Sequence, residues 1–228
     1  DRQITARWSL QFEQDVRALY DLDLQSQLVA VIGEQIALDI DREIINHLDS
    51  IVSSLPANSG HTHVFYLTPP PTFTFGPREW YKNIILSLER LAATIYRDTN
   101  IQAGSLIAVN PNDVNIFTAL DDFTFTYESN YMNAGIGFAE ATVAGGKFKV
   151  LVSPIVPQGK ILMTYKPDLE AKVVYYYCPY IPAIIHPYPL SNVPTISFLT
   201  RYAVAPIRPL GLARLDLSVT QPPSGWTP

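Results

Sequence analysis

Leu24–Ser54 reads LQSQLVAVIGEQIALDIDREIINHLDSIVSS, and its apolar spacing decides the architecture. Leu28, Ile32, Ile36, Ile40, Ile44 and Leu48 recur every fourth residue, with Val29, Val31, Leu38, Ile45 and Ile51 widening the stripe. That period belongs to an amphipathic helix. The spacing predicts one helix of about eight turns, ending near Ser53 and Ser54, against a mean of about three turns in globular proteins. Gly33 inside it costs only about 1 kcal/mol relative to alanine. A long helix with so wide a stripe is a scaffold on which a sheet can lie.

Working outward, Trp8, Phe12, Val16 and Leu19 stand at helical spacing within Ile4–Leu19 and predict a shorter helix packed on a larger element, with Asp21 and Asp23 as the polar break. Beyond the long helix the pattern dissolves between Pro56 and Pro77, through Pro69-Pro70-Pro71, which reads as a domain crossing. A helix from Arg78 to Arg97 follows, with Tyr81, Ile84, Leu88, Leu91 and Ile95 on one face and Asp98-Thr99-Asn100 stopping it. Ser105–Val109 is a short strand. Asn110-Pro111 turns the chain, and Asn112-Asp113 suit a helix start running to Leu120. From Phe123 to Tyr180 the period is that of strands: 123–127, 147–150, 161–165 and 173–177, with glycine turns at Gly145-Gly146 and Gln158-Gly159. A proline-rich crossing from Pro179 to Pro194 leads to a strand at Thr195–Val204 and an irregular tail.

Composition narrows the function classes. Only 16% of the residues are charged, against about 25% in ordinary soluble domains. Thirteen tyrosines and 47% hydrophobic residues accompany that low charge, the combination that protein interfaces favour. Nineteen prolines point to many stiff connections. The net charge of -5, with no dense Lys/Arg cluster, argues against a groove that grips nucleic acid. The one cysteine, Cys178, excludes an internal disulfide framework and suits a reducing compartment. No apolar run approaches the roughly 20 residues that span a bilayer, so no membrane partner is expected.

Candidate chemistry is sparse. His61 and His63 are half of a metal site at most, because zinc wants three or four ligands. Cys178 and His186 suggest a thiol-imidazole pair, but Tyr175-Tyr176-Tyr177-Cys178-Pro179-Tyr180 reads as a buried strand end. Gly145-Gly146-Lys147 fails the phosphate-loop pattern at Ala141 and at Phe148, leaving a hairpin turn. Asp39, Asp41 and Glu43 read as a solvated helix face, and Asp121-Asp122 as a turn. Catalytic, cofactor-binding and metal residues are therefore expected to be none, and the chain is read as not an enzyme.

Several segments, in order, resemble the major capsid proteins of T-even-like myoviruses. Ala6-Arg7-Trp8-Ser9-Leu10 with Gln14–Ala18 is similar to that family's lead-in, and Ile36–Ile45 to its long spine helix. Ala144–Val150, Tyr176–Pro182 and Phe198–Tyr202 resemble two later capsid segments and the family's closing strand. The resemblance implies an α+β class, the Hong Kong 97-type phage capsid fold, with a long spine helix in a peripheral domain and a mixed α/β axial domain. The expected division is 1–57 peripheral, 58–192 axial, and 193–228 returning to the peripheral domain with a tail. It further implies self-assembly into hexamers and pentamers of an icosahedral head, with no cofactor. The implied partners are neighbouring capsid, vertex or decoration proteins, and packaged DNA by non-specific proximity. The location implied is the virion head, after assembly in the host bacterial cytoplasm. The family's N-terminal arm and extended loop are expected before Asp1. A small hydrolase or transferase, and a different phage structural or scaffold-binding module, are the alternative readings.

Overall fold

The polar-apolar alternation of Arg2-Gln3-Ile4-Thr5-Ala6-Arg7 makes a strand, β1 (Arg2–Arg7), where helical spacing from Ile4 was expected. The period of two and the β-branched Ile4 and Thr5 outweigh the helical register there. In this computed structural model residues 2–71, 73, 74, 76–118, 120, 124–126, 139–143, 147–190 and 193–223 are described. Helix α1 (Leu10–Tyr20) begins only after Ser9, whose hydroxyl accepts from the Phe12 N–H. It ends at Asp21, held left-handed at φ 50° with its N–H on the Arg17 carbonyl. Helix α2 (Leu24–Ser54) has the expected ends and spans 31 residues.

The remaining elements, in order, are β2 (Thr62–Tyr66), α3 (Pro77–Thr99), β3 (Leu106–Val109), α4 (Asn115–Thr118), β4 (Thr124–Thr126), β5 (Ala139–Val143), β6 (Phe148–Val152), β7 (Lys160–Thr164), β8 (Tyr175–Leu190), β9 (Val193–Pro206) and β10 (Ala213–Ser218). Pro77 opens α3, where its missing N–H is not needed, and left-handed Asn100 at φ 53° closes it on the Tyr96 carbonyl. The helix expected to run to Leu120 is the single turn α4. The tail is not irregular: β10 is an internal strand, between β2 and β7.

Two units divide the chain: Asp1–Ile44 with Tyr175–Ala205, and Ile45–Val174 with Pro206–Pro228. The boundaries expected at 57/58 and 192/193 stand elsewhere, inside α2 and just before β8. Pro69–Pro71 links β2 to α3 within the second unit, and the prolines at 179, 182, 187 and 189 lie within β8 itself. Proline is tolerated at a sheet edge, where the missing N–H faces away from the ladder. A proline-rich stretch therefore reads as a crossing when it is an edge strand.

The first unit holds a three-stranded sheet ordered β1-β9-β8, with β1 antiparallel to β9 from Arg2↔Thr200 to Arg7↔Thr195. Ile32, Ile36 and Phe198 form its buried cluster, with Ile4, Ala6, Val29 and Ile40 packed against it. The second unit holds a seven-stranded mixed sheet ordered β2-β10-β7-β3-β6-β5-β4. Strand β2 is parallel to β10 and β3 to β6; the other described pairs are antiparallel. Helix α3 buries Trp80, Ile84, Leu88, Leu91 and Ile95. The Trp80 indole donates to the Tyr66 carbonyl at 2.7 Å and stacks on Phe65. Along α2 the buried positions change from Ile32 and Ile36 in the first unit to Ile51 and Val52 in the second. The ladder of every fourth residue does not extend intact to Leu48, which is half-buried.

Candidate functional site

Four polar side chains of the first unit, Arg2, Asp39, Glu43 and Tyr202, gather where β1, α2 and β9 meet. Arg2 donates to Glu43 at 2.6 Å and to the Tyr202 hydroxyl at 2.9 Å, and lies 3.6 Å from Asp39. The Tyr202 hydroxyl also donates to Glu43. Those bonds from Tyr202 and Arg2 hold the Glu43 carboxyl below the usual carboxylate range. Asp39 and Glu43 thus tie α2 to β1, and Glu43 also ties it to β9, while their side chains stay partly exposed, where a solvated helix face was expected. Asp41, pointing elsewhere, is pushed up by burial.

A second network ties the C-terminal part of α2 to the larger sheet. Asp49 accepts from Lys160 of β7 at 2.6 Å and from Arg214 of β10 at 2.7 Å. Burial pushes Asp49 up, but the two cations outweigh it and hold the carboxyl below its ordinary range. Arg214 also lies 2.8 Å from Asp216. These are bonds that fix a helix on a sheet, with both cations committed to carboxylates.

His61 is fully buried, its Nδ1 2.9 Å from the Leu212 carbonyl and its Nε2 2.9 Å from Asp98. Arg97, followed by burial and His61, sets the Asp98 carboxyl, which is held down at about 2. Burial, then Arg90, lowers His63. The two imidazoles therefore occupy different environments, and among the described residues no group of three or more His, Cys, Asp and Glu side chains is placed to hold a metal.

Cys178 is exposed, not the buried strand end expected. His186 lies eight positions along the same continuous strand, so about 26 Å separates the two at roughly 3.3 Å per residue. That separation rules out a thiol-imidazole pair, although the His186 side chain itself is outside the described residues. Gly145, Gly146, Asp121 and Asp122 are also outside them; Ala141 lies on β5. Lys147 pairs with Glu89 at 2.6 Å. Among the described residues no helix is long and apolar enough to cross a membrane.

What the first unit does offer is uncovered surface. Helix α1 buries no residue, contrary to its expected packing on a larger element. Phe12, Val16, Leu19 and Tyr20 form its stripe, and Leu19 and Tyr20 are 75% and 70% exposed. On β8, Tyr177 packs on Tyr202 at 5.3 Å between ring centroids, on the side of the sheet that faces α2. Strand alternation then turns Tyr176, Cys178 and Tyr180 to the opposite face. Tyr180 is 81% exposed. The whole stretch Tyr175–Ala205 holds a single Asp, Glu, Lys or Arg, Arg201. With Cys178 and Tyr180 exposed and no formal charge from Tyr175 to Thr200, the start of β8 has the chemistry of a protein interface.

Known proteins place this arrangement. The major capsid protein of Enterobacteria phage T4 is 27% identical over 225 residues, covering 89% of this chain and 42% of that protein. That of Vibrio phage KVP40 is 26% identical over 221 residues, with the same coverage. The chain thus spans less than half the length of these relatives. Among solved structures, the holo-SrpI encapsulin complex of Synechococcus elongatus PCC 7942 aligns over 99% of this chain and 76% of its own, with a TM-score of 0.61 at 14% identity. The mature capsid of bacteriophage PhiM1 aligns over 95% of this chain and 70% of its own, with a TM-score of 0.56 at 13% identity. At such identities the likeness concerns the fold, which is the α+β, Hong Kong 97-type capsid fold that the sequence resemblance implied. The model of the Gp23 major capsid protein family matches residues 1–214, and the chain belongs to that family.

Proposed function

We propose that the chain is the body of a structural shell subunit, which self-associates as hexamers and pentamers tiling an icosahedral phage head around packaged DNA. The family match over residues 1–214 carries this reading. In it, the unit built on β1, α1, the first part of α2, β8 and β9 serves as the peripheral domain, and the unit with the seven-stranded sheet as the axial domain. Function is then geometry and interface burial, with no residue assigned to catalysis, cofactor or metal. Neighbouring capsid, vertex or decoration proteins are the partners. The DNA inside is held by enclosure: the net charge of -5 gives no sequence-reading surface. Assembly takes place in the host bacterial cytoplasm, and the product resides in the virion head.

The uncovered α1 stripe and the uncharged β8 surface fit such a subunit, since a shell protein replaces solvated charge with neighbour contact. Electron microscopy and mass photometry of the natively expressed protein test it. Closed heads or six- and five-membered rings are expected. A monodisperse monomer at high concentration would overturn the reading.

A further inference from the structure

A closed ring needs a heterologous contact, in which two different patches of one subunit meet across each joint. The first unit carries two such patches, on opposite edges of its three-stranded sheet. Helix α1 follows β1, the strand at one edge, and leaves the sheet where Arg7 pairs with Thr195 and the Trp8 N–H bonds the Pro194 carbonyl. Tyr176, Cys178 and Tyr180 stand on β8, at the other edge. They lie toward the opposite end of the strands, because the neighbouring Ile181 carbonyl accepts from the Thr200 hydroxyl and Thr200 pairs with Arg2. Helix α1 therefore starts from one corner of the sheet, and the β8 patch stands toward the diagonally opposite one.

Their chemistry is complementary. The α1 stripe of Phe12, Val16, Leu19 and Tyr20 is apolar, and the β8 face is aromatic with no formal charge from Tyr175 to Thr200. Burying Leu19 or a helix tyrosine against a charged surface would strand that charge; this face has none to strand. Backbone pairing is the other way to engage a sheet edge, but the prolines at 179 and 182 stand at positions that face opposite sides of β8, so one of them takes an N–H donor from the open edge beside the patch. Side-chain packing does not need that donor. A flush strand addition would also leave α1 uncovered, whereas a helix laid across Tyr176, Cys178 and Tyr180 covers both patches at once.

We propose that the α1 stripe of one copy docks on the Tyr176-Cys178-Tyr180 face of β8 in a second copy, head to tail. The proposal rests on the self-association argued above, and names the surface through which it occurs. The contact is directional: each copy gives its helix to one neighbour and receives a helix from the other.

A charge-swap pair on the full chain tests it. Leu19→Glu alone and Tyr180→Lys alone each place a charge in the joint and are expected to lower the assembled fraction at fixed concentration about tenfold. The double variant brings the two charges together and restores most of the loss. Both residues are highly exposed, so thermal unfolding of the unassembled variants should match the unaltered protein. Bismaleimide crosslinking of Leu19→Cys gives an independent reading, because the native Cys178 is the only other thiol. A ladder of crosslinked copies, absent when Cys178→Ala is added, is expected. If the unaltered protein assembles while both single variants assemble equally well and no ladder forms, the α1–β8 joint is wrong and the shell reading stands. If the unaltered protein never associates, both fall together.

Discussion

The two units of this chain differ in how they keep themselves folded. Among the described residues, of the largest fully buried side chains, Phe65, Phe117, Phe148, Ile84, Leu88, Leu91, Ile95, Ile107, Ile161, Met163 and Leu215 belong to the unit with the seven-stranded sheet, and Ile196 to the other. The larger sheet is covered by α3 and closed by an internal β10. Among the described residues the smaller unit buries Ile32, Ile36 and Phe198 in one cluster, with Trp8 and Ile196 besides, and α1 has no buried side chain. Apolar burial is the main favourable contribution to folding, so among the described residues the second unit holds most of the burial that stabilises this chain.

The largest expected effect breaks the self-sufficient half. Leu88→Asp places an unpaired carboxylate in a fully buried site, a cost of several kcal/mol against a total stability of about 5 to 15. Soluble protein with a cooperative urea transition near the unaltered midpoint would contradict the core assigned to α3. Next comes Ile36→Asp, which strikes the small cluster of the first unit. It should abolish assembly and strip hydrogen-exchange protection from β1 and β9 while β3, β6 and β7 keep theirs. Uniform loss across both sheets would mean that the units fold as one. Ile40 is only half-buried, so Ile40→Asp should be the milder lesion.

Asp49→Ala removes the carboxylate between Lys160 and Arg214 and leaves two half-buried cations facing each other. A loss of about 2 to 3 kcal/mol is expected in urea unfolding, with Asp49→Asn recovering part of it. An unchanged midpoint would show that the network is idle. A smaller effect is acid sensitivity. Asp98 is held down at about 2 by Arg97 and His61, so the unfolded chain takes up its proton first as pH falls. The stability it contributes is present above the ordinary carboxylate range and is lost progressively from about pH 4 toward 2. Asp98→Asn should flatten that part of the pH profile; an identical slope in the variant would assign acid loss to other groups. Least of all, Glu34→Gln should leave unfolding and assembly within error, since Glu34 is exposed and lies outside the proposed joint.

Helical periodicity was legible wherever the chain repeats it for many turns. The ends of α2 and the body of α3 follow from spacing and stop signals. The surface chemistry of Tyr175–Ala205 was also present as low charge and many tyrosines, but its exposure was not, because a run of aromatics looks the same in a core and at an interface. Cys178 was read as buried for that reason.

What the sequence determined by itself is local: a 3.6-residue period sustained through Leu24–Ser54, the stop at Asp98-Thr99-Asn100, and a family resemblance distributed along the chain. What tertiary structure decided is pairing. Strand β1 is a strand because Ile4 and Ala6 can pack beside Phe198, and β10 because β2 and β7 each offer it an open edge. The Asp49 clamp joins residues more than a hundred positions apart. Helix hydrogen bonds close within four residues and so leave their period in the local sequence. Sheet bonds and ion pairs close between segments whose separation no local pattern records.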